Sequence, residues 1–141
     1  MKKFTKILAL ALVAIMSLVV FAACAPNADP VKAEAALEEN GYTAGKDDTI
    51  VPTLLWAAGI KDIDCVVTGS LIVEGEGDED DKLEHVTIVY FETEEAAEAA
   101  WEKMQAYAAE EDEDAEESDW TIKLSGAMIY YGTSAAIKAA R

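Results

Sequence analysis

Cysteine and histidine are scarce in this sequence, which removes the side chains that many catalytic and metal sites require. The 141 residues contain two cysteines, Cys24 and Cys65, and one histidine, His85. Beyond Cys24, one thiol and one imidazole are too few nitrogen and sulfur ligands for a zinc site. No G-x-S-x-G motif is present, so serine hydrolysis lacks its usual signature. We predict that the protein is not an enzyme and that its domain has no internal disulfide.

Basic residues are also scarce, because 11 Lys and Arg face 28 Asp and Glu and give a formal net charge of −17. Lys2, Lys3 and Lys6 lie at the N-terminus, while every acidic residue follows Cys24. Such a charge repels phosphate-rich polymers and attracts cations and basic peptides. We therefore expect no nucleic-acid partner, since no basic patch is evident to bind one.

The N-terminus has the layout of a secretory signal. Three lysines precede an apolar run from Ile7 to Ala25 that only Ser17 interrupts, and small residues precede Cys24, as at a cleavage site. Residues Phe21-Ala22-Ala23-Cys24 resemble the lipobox of bacterial lipoproteins, in which lipid is transferred to the cysteine thiol and the chain is cleaved before it. The resemblance implies lipidation of Cys24. The alternative is an uncleaved anchor, since the run approaches the ~20 residues of a bilayer span.

The resemblance divides the chain into three parts. Residues 1–23 are expected to be the signal peptide, residues 24–29 the lipidated cysteine with a short tether, and residues 30–141 one acidic domain. A lipid anchor at Cys24 would attach the protein to the cell membrane on its extracytoplasmic side. Because about 3.5 Å per residue limits the tether to about 15–20 Å, the domain is expected close to the membrane.

Residues 30–141 carry both helix and strand signals. Asp29-Pro30 and Asn40-Gly41 bracket a first helix, Pro52 to Ala58 favour a second, and Thr93 is placed to cap a third. A short last helix ends at Arg141. The stretches rich in Val, Ile, Thr and aromatic residues predict four strands: residues 64–74, 84–92, 120–124 and 127–131. The pattern predicts a small single α+β domain whose antiparallel sheet has helices packed on one face.

The first two strands predict a hairpin that is apolar on both sides. Pairing Glu74 with Glu84 gives two faces: Cys65, Val67, Leu71, Val73, Val89 and Phe91 on one, and Val66, Ile72, Val86, Ile88 and Tyr90 on the other. An antiparallel sheet with one solvated face alternates more cleanly. Either a helix or loop covers the second face, or an envelope protein or a second copy of the chain binds there. The same pairing separates Cys65 from His85 by about 26 Å, too far for a catalytic pair.

Two acid-rich segments offer oxygen ligands of the kind that calcium prefers. One contains Glu76, Asp78, Asp80 and Asp81, and the other spans residues 110–119. Neither fits the spacing of an EF-hand loop, and a run of like charges is usually a solvated loop. We expect no cofactor, with calcium possible at Glu76, Asp78, Asp80 and Asp81.

The remaining candidates are the aromatic residues, which could form a recognition surface but at strand and helix spacing are more often core: Trp56, Trp101, Trp120, Tyr130 and Tyr131. The sequence therefore favours a membrane-tethered lipoprotein with a non-catalytic binding or protein-interaction domain. Low-affinity calcium binding through the acidic loops is one alternative. A hydrolase that acts through carboxylates is the other.

Overall fold

The computed structural model describes residues 25–111 and 120–141, which form one five-stranded antiparallel sheet and four helices. The sheet order is β1-β2-β3-β5-β4, so β1 and β4 are the edges. The prediction of a small α+β domain with an antiparallel sheet is confirmed. In chain order, the elements are α1 Pro30–Glu39, β1 Thr43–Asp47, α2 Ile50–Ala57, β2 Ile63–Val73, β3 Lys82–Phe91, α3 Glu94–Glu111, β4 Trp120–Ser125, β5 Met128–Thr133 and α4 Ser134–Ala139.

Local capping signals set the ends of the helices. The Asp29 carboxylate accepts a hydrogen bond of 2.9 Å from the Val31 N–H at the start of α1, and α1 ends before Gly41, whose φ is +85°. The Thr93 hydroxyl accepts from the Ala96 N–H at 3.1 Å and caps α3 as predicted. Helix α2 begins at Ile50, two residues earlier than its sequence signal.

The hairpin of β2 and β3 has a different register from the predicted one. Val73 pairs with Lys82 and Cys65 with Tyr90, instead of Glu74 with Glu84. The Asp81 carboxylate accepts a 3.0 Å hydrogen bond from the Gly75 N–H. This bond closes the β2–β3 loop at the Val73–Lys82 pair instead of the predicted Glu74–Glu84 pair. A Cβ at Gly75 would collide with the Glu79 carbonyl, so glycine is required for this close turn.

The change of register moves the side chains of β3 to the other side of the sheet. The observed register differs from the predicted one by an odd number of residues, and successive side chains of a strand alternate between the two faces of the sheet. Val86, Ile88 and Tyr90 therefore share a core cluster with Cys65 and Val67. Val89 and Phe91 lie with Val66 on the opposite face, which corrects the predicted grouping.

Helices cover both faces of the sheet, where the sequence predicted helices on one. Helices α1 and α4 contribute Ala33, Leu37, Ala136 and Ile137 to the cluster around Ile88. Helices α2 and α3 contribute to the cluster on the other side, which contains Leu55, Ala97, Ala100, Met104 and Ala108. The apolar second face needed a cover, and helices of the same chain supply it.

Two short segments join this core. The β4–β5 turn lies at Gly126, whose φ is +57°, as the Ser125-Gly126 pair predicts. Residues 25–28, expected to be a tether, pack on the domain. The Asn27 N–H donates to the Ala140 carbonyl at 2.8 Å, and the Tyr90 hydroxyl donates to the Asn27 carbonyl at 2.7 Å. Pro26 is buried.

Candidate functional site

Helix α2 presents an apolar surface to solvent. No charged residue occurs between Thr49 and Ile60, although 28% of the chain is charged. Leu55 is the one side chain of this helix that is fully buried, whereas Ile50, Leu54 and Trp56 are exposed by 69%, 57% and 65%. We call these three side chains the α2 apolar face.

The geometry of a helix explains why this surface stays open. Leu54 and Trp56 flank the buried Leu55 on either side, since each residue turns the helix by about 100°. Ile50, one turn before Leu54, completes the outward side. Leu54 and Trp56 lie about 160° apart around the helix axis, and the three side chains of the α2 apolar face together expose on the order of 400 Å² to solvent.

The backbone of α2 is held at both ends, so the exposed side chains stand on a fixed support. The N–H groups of Val51, Thr49 and Ile50 all donate to the Asp47 carboxylate, at 2.9, 2.8 and 3.0 Å. These bonds hold the pKa of the Asp47 carboxyl below its usual value. At the other end, the Lys103 ammonium donates to the Gly59 carbonyl at 3.0 Å.

A second exposed apolar group lies at the far end of the β2–β3 hairpin. It consists of Ile72, Val73 and Leu83. Strand β1 pairs with β2 only as far as Ser70, and β5 pairs with β3 only from Val86, so this end lacks neighbouring strands. Helix α2 follows the end of β1 that pairs with Val66 on β2. Strand β2 runs for about 20 Å from Val66 to Ile72, and this distance separates the two exposed apolar groups.

The sheet face on which a partner was expected is covered over most of its length. Ile88, at its centre, is fully buried in the cluster beneath α1 and α4. The partner itself stays a prediction, but the exposed surface that could receive one is the α2 apolar face or the far end of the hairpin.

Four of the five aromatic side chains singled out in the sequence do pack in or against the core. Tyr131 is buried with its ring centroid 6.1 Å from that of Trp120, and Tyr130 is buried in the cluster on the other face. Trp101 on α3 is half-buried and packs against the core cluster on the sheet face that α2 and α3 cover. Trp56 differs, because it lies on the open side of α2, and its expected place in the core is wrong.

The acidic loop does not gather its carboxylates. Glu76, Asp78, Asp80 and Asp81 are all exposed, and one oxygen of Asp81 is used to close the loop. Within residues 25–111 and 120–141, no three His, Cys, Asp or Glu side chains come together as metal ligands would. Calcium binding at the loop stays a prediction, and the other acid-rich segment, residues 110–119, lies largely outside the described residues.

Cys65 and His85 lie on neighbouring strands without facing each other. Cys65 pairs with Tyr90 and His85 with Ser70, a separation of five strand residues or about 17 Å. Burial, with the nearby Asp64 carboxylate as a second cause, raises the pKa of the Cys65 thiol to about 11. The thiol is therefore protonated at neutral pH and behaves as a small apolar core group.

The predicted lipidation site, Cys24, lies just outside the described residues. None of the helices within the described ranges is both long and apolar enough to cross a bilayer. No protein-family model, curated protein or solved structure matches this chain. The α2 apolar face was missed in the sequence, although its signal is there: a short helix can bury one side only, and Ile50 to Ala58 is apolar on all sides apart from Thr53.

Proposed function

We propose that this protein is a membrane-tethered interaction module, lipidated at Cys24, that binds a protein partner through the α2 apolar face. The observation that carries the proposal is the exposure of Ile50, Leu54 and Trp56 on a helix whose backbone is held in place. Apolar side chains of this size gain free energy when a partner removes them from water. Tryptophan is also enriched among the residues that dominate interface energetics.

Charge decides which kind of partner fits this surface. Two copies of a chain with a formal charge of −17 repel each other, which disfavours self-association. The exposed residues next to α2 carry both signs of charge, with Asp48 before the helix and Lys61 and Asp62 after it. It is the negative charge of the whole chain that favours a partner with basic groups around an apolar groove.

The size of the surface sets the expected strength. Total buried areas below about 1,200 Å² are typical of weak or transient complexes, and the α2 apolar face is small. A lipid anchor compensates for weak affinity, because it confines the protein to the same membrane as its partner and raises their effective concentration. The proposed role is therefore reversible capture of a basic protein at the membrane.

Site-specific photo-crosslinking in intact cells tests this proposal. A photo-reactive phenylalanine derivative replaces Trp56 in one variant and Ile72, equally exposed but at the far end of the hairpin, in the control. We expect one discrete adduct with a different, basic protein from position 56 and none of that mass from position 72. The additional change Leu54→Gln should abolish the adduct while the melting temperature stays within a few degrees, because Leu54 is exposed.

Two outcomes would contradict the proposal. An adduct of twice the mass of this chain would show that copies associate in spite of their charge. The same diffuse set of adducts from positions 56 and 72 would show that the α2 apolar face has no preferred partner.

A further inference from the structure

The last 22 residues differ in charge from the rest of this acidic chain. Residues 120–141 contain Lys123, Lys138 and Arg141 but no Asp or Glu, whereas all 28 acidic residues lie between Asp29 and Asp119. The fold keeps this segment together, because it forms the β4–β5 hairpin and α4. This stretch of sequence therefore has a positive net charge in an otherwise acidic protein.

The three cations surround a single hollow. Lys123 on β4 pairs with Tyr130 on β5, so both side chains lie on the face that α4 covers. Lys138 and Arg141 reach the same place from α4 and the residues after it. The hollow has a volume of about 260 Å³, and the residues that line it are Thr121, Lys123, Tyr130, Ser134, Ile137, Lys138 and Arg141.

This combination of side chains fits an anion with several oxygens. Lysine and arginine donate charge-assisted hydrogen bonds, and the planar guanidinium of arginine matches two oxygens of a phosphate at once. Serine, threonine and tyrosine hydroxyls add neutral donors. None of the described side chains that line the hollow is acidic.

From this we infer that the hollow between β4 and α4 is a phosphate-binding site. The site is separate from the α2 apolar face, since α2 packs on the opposite side of the sheet. The two sources of phosphate are the headgroup of a membrane lipid and free inorganic phosphate.

The position of the N-terminal segment favours the lipid as the source, a step that rests on the proposed lipidation of Cys24. The Asn27 N–H donates to the carbonyl of Ala140, next to Arg141. Only Ala25 and Pro26 separate Cys24 from Asn27 in the sequence, so a lipid on Cys24 would be joined to this end of α4 by a tether of at most about 11 Å. A free anion must approach against the charge of −17, whereas the anchor would hold headgroups beside the site at high effective concentration.

Arg141 is the one arginine of the sequence, so its side-chain Nε–H gives a single assignable NMR signal. We would follow that signal in the full chain, held in neutral detergent, while inorganic phosphate replaces chloride at constant ionic strength. A second titration uses lipid nanodiscs of phosphatidylcholine with and without phosphatidylglycerol. We expect saturable shifts of the Arg141 signal with phosphate and larger shifts with the anionic nanodiscs than with the neutral ones.

Matched variants separate a site from general charge attraction. The double change Lys123→Gln and Lys138→Gln removes two charges at the hollow, and Lys46→Gln with Lys61→Gln removes two exposed charges elsewhere. The first pair should weaken the phosphate titration at least about tenfold, since each lost cation removes a charge-assisted bond, and the second should leave it unchanged.

Each outcome of these titrations bears on the inference. Saturation by phosphate without a response to anionic nanodiscs would support the site and assign it to free phosphate. A response to the nanodiscs alone would assign it to lipid. Shifts that never saturate, or that weaken equally in both double variants, would overturn the inference. Failure of Cys24 lipidation is seen separately, because the phosphate titration in detergent does not require the lipid.

Discussion

The burial of Ile88 is the feature that most directly tests the sheet register and the helices on both faces. Ile88 has no exposed surface and pairs with Val67 and Tyr130 in the middle of the sheet. Truncating a fully buried isoleucine to alanine costs about 2–5 kcal/mol, because apolar contacts are lost and a cavity remains. We therefore expect Ile88→Ala to lower the free energy of unfolding by about 3 kcal/mol.

Ile72 supplies the matched control. It lies on the same hairpin but is 67% exposed and pairs with Leu83 beyond the neighbouring strands. Ile72→Ala changes the strand propensity in the same way, a loss of at most about 1 kcal/mol, without opening a cavity. The difference between the two variants isolates the contribution of burial.

Urea and thermal denaturation, followed by circular dichroism, measure this difference. At roughly 4–8 °C per kcal/mol for a small domain, Ile88→Ala should lower the melting temperature by about 10–20 °C, and Ile72→Ala by only a few degrees. The denaturant slope should stay constant in both variants, because the surface exposed on unfolding hardly changes.

Equal losses in the two alanine variants would refute the reasoning. A stronger test is Ile88→Lys, which buries a charge with no partner and should prevent folding. If that variant folded with the melting temperature of the natural chain, the face that contains Ile88 would be an open surface and the placement of α1 and α4 would be wrong.

Three further predictions concern single sites. Cys24→Ala should release the protein from the membrane fraction, and retention of that variant with its N-terminal leader intact would favour an uncleaved anchor. In that background, Cys65 should resist a thiol reagent at pH 8 until the protein unfolds, since its pKa is about 11 and it is buried; rapid labelling of the folded protein would contradict this. Asp47 has a pKa below its unfolded value of 3.8, so its contribution to stability is complete above pH 3.8 and is lost as the pH falls through the folded pKa. Asp47→Asn should reduce the acid sensitivity of unfolding in that window more than the charge-matched Asp78→Asn, and an equal effect would show that the backbone bonds to Asp47 do not matter.

The features that were predictable from the sequence depend on near neighbours in the chain. The cap at Asp29, the cap at Thr93 and the turn at Gly126 each involve contacts within a few residues. Such contacts form wherever the local sequence allows them. The α+β class followed from the same local signals, whereas the order of the strands in the sheet comes from the tertiary structure.

The register of the β2–β3 hairpin was not predictable in this way. It depends on the closure of the loop between Gly75 and Asp81. Because both faces are apolar, the alternation that usually fixes register carries little information. The wrong register placed Ile88 and Val89 each on the opposite face of the sheet from the one it occupies. The two strands β2 and β3 were themselves predicted correctly.

The candidate sites show the same division. The sequence alone determined the acidic charge, the lipobox-like segment at Cys24, the charge-free stretch that became α2 and the acid-free stretch from residue 120 onward. Only the tertiary structure decided which apolar residues are buried, that Trp56 stays outside, and that Lys123 and Arg141 meet at one hollow. Composition is a property of the chain itself. Exposure and proximity depend on which elements pack against one another, and those contacts join residues that are far apart in the sequence, so local signals do not specify them.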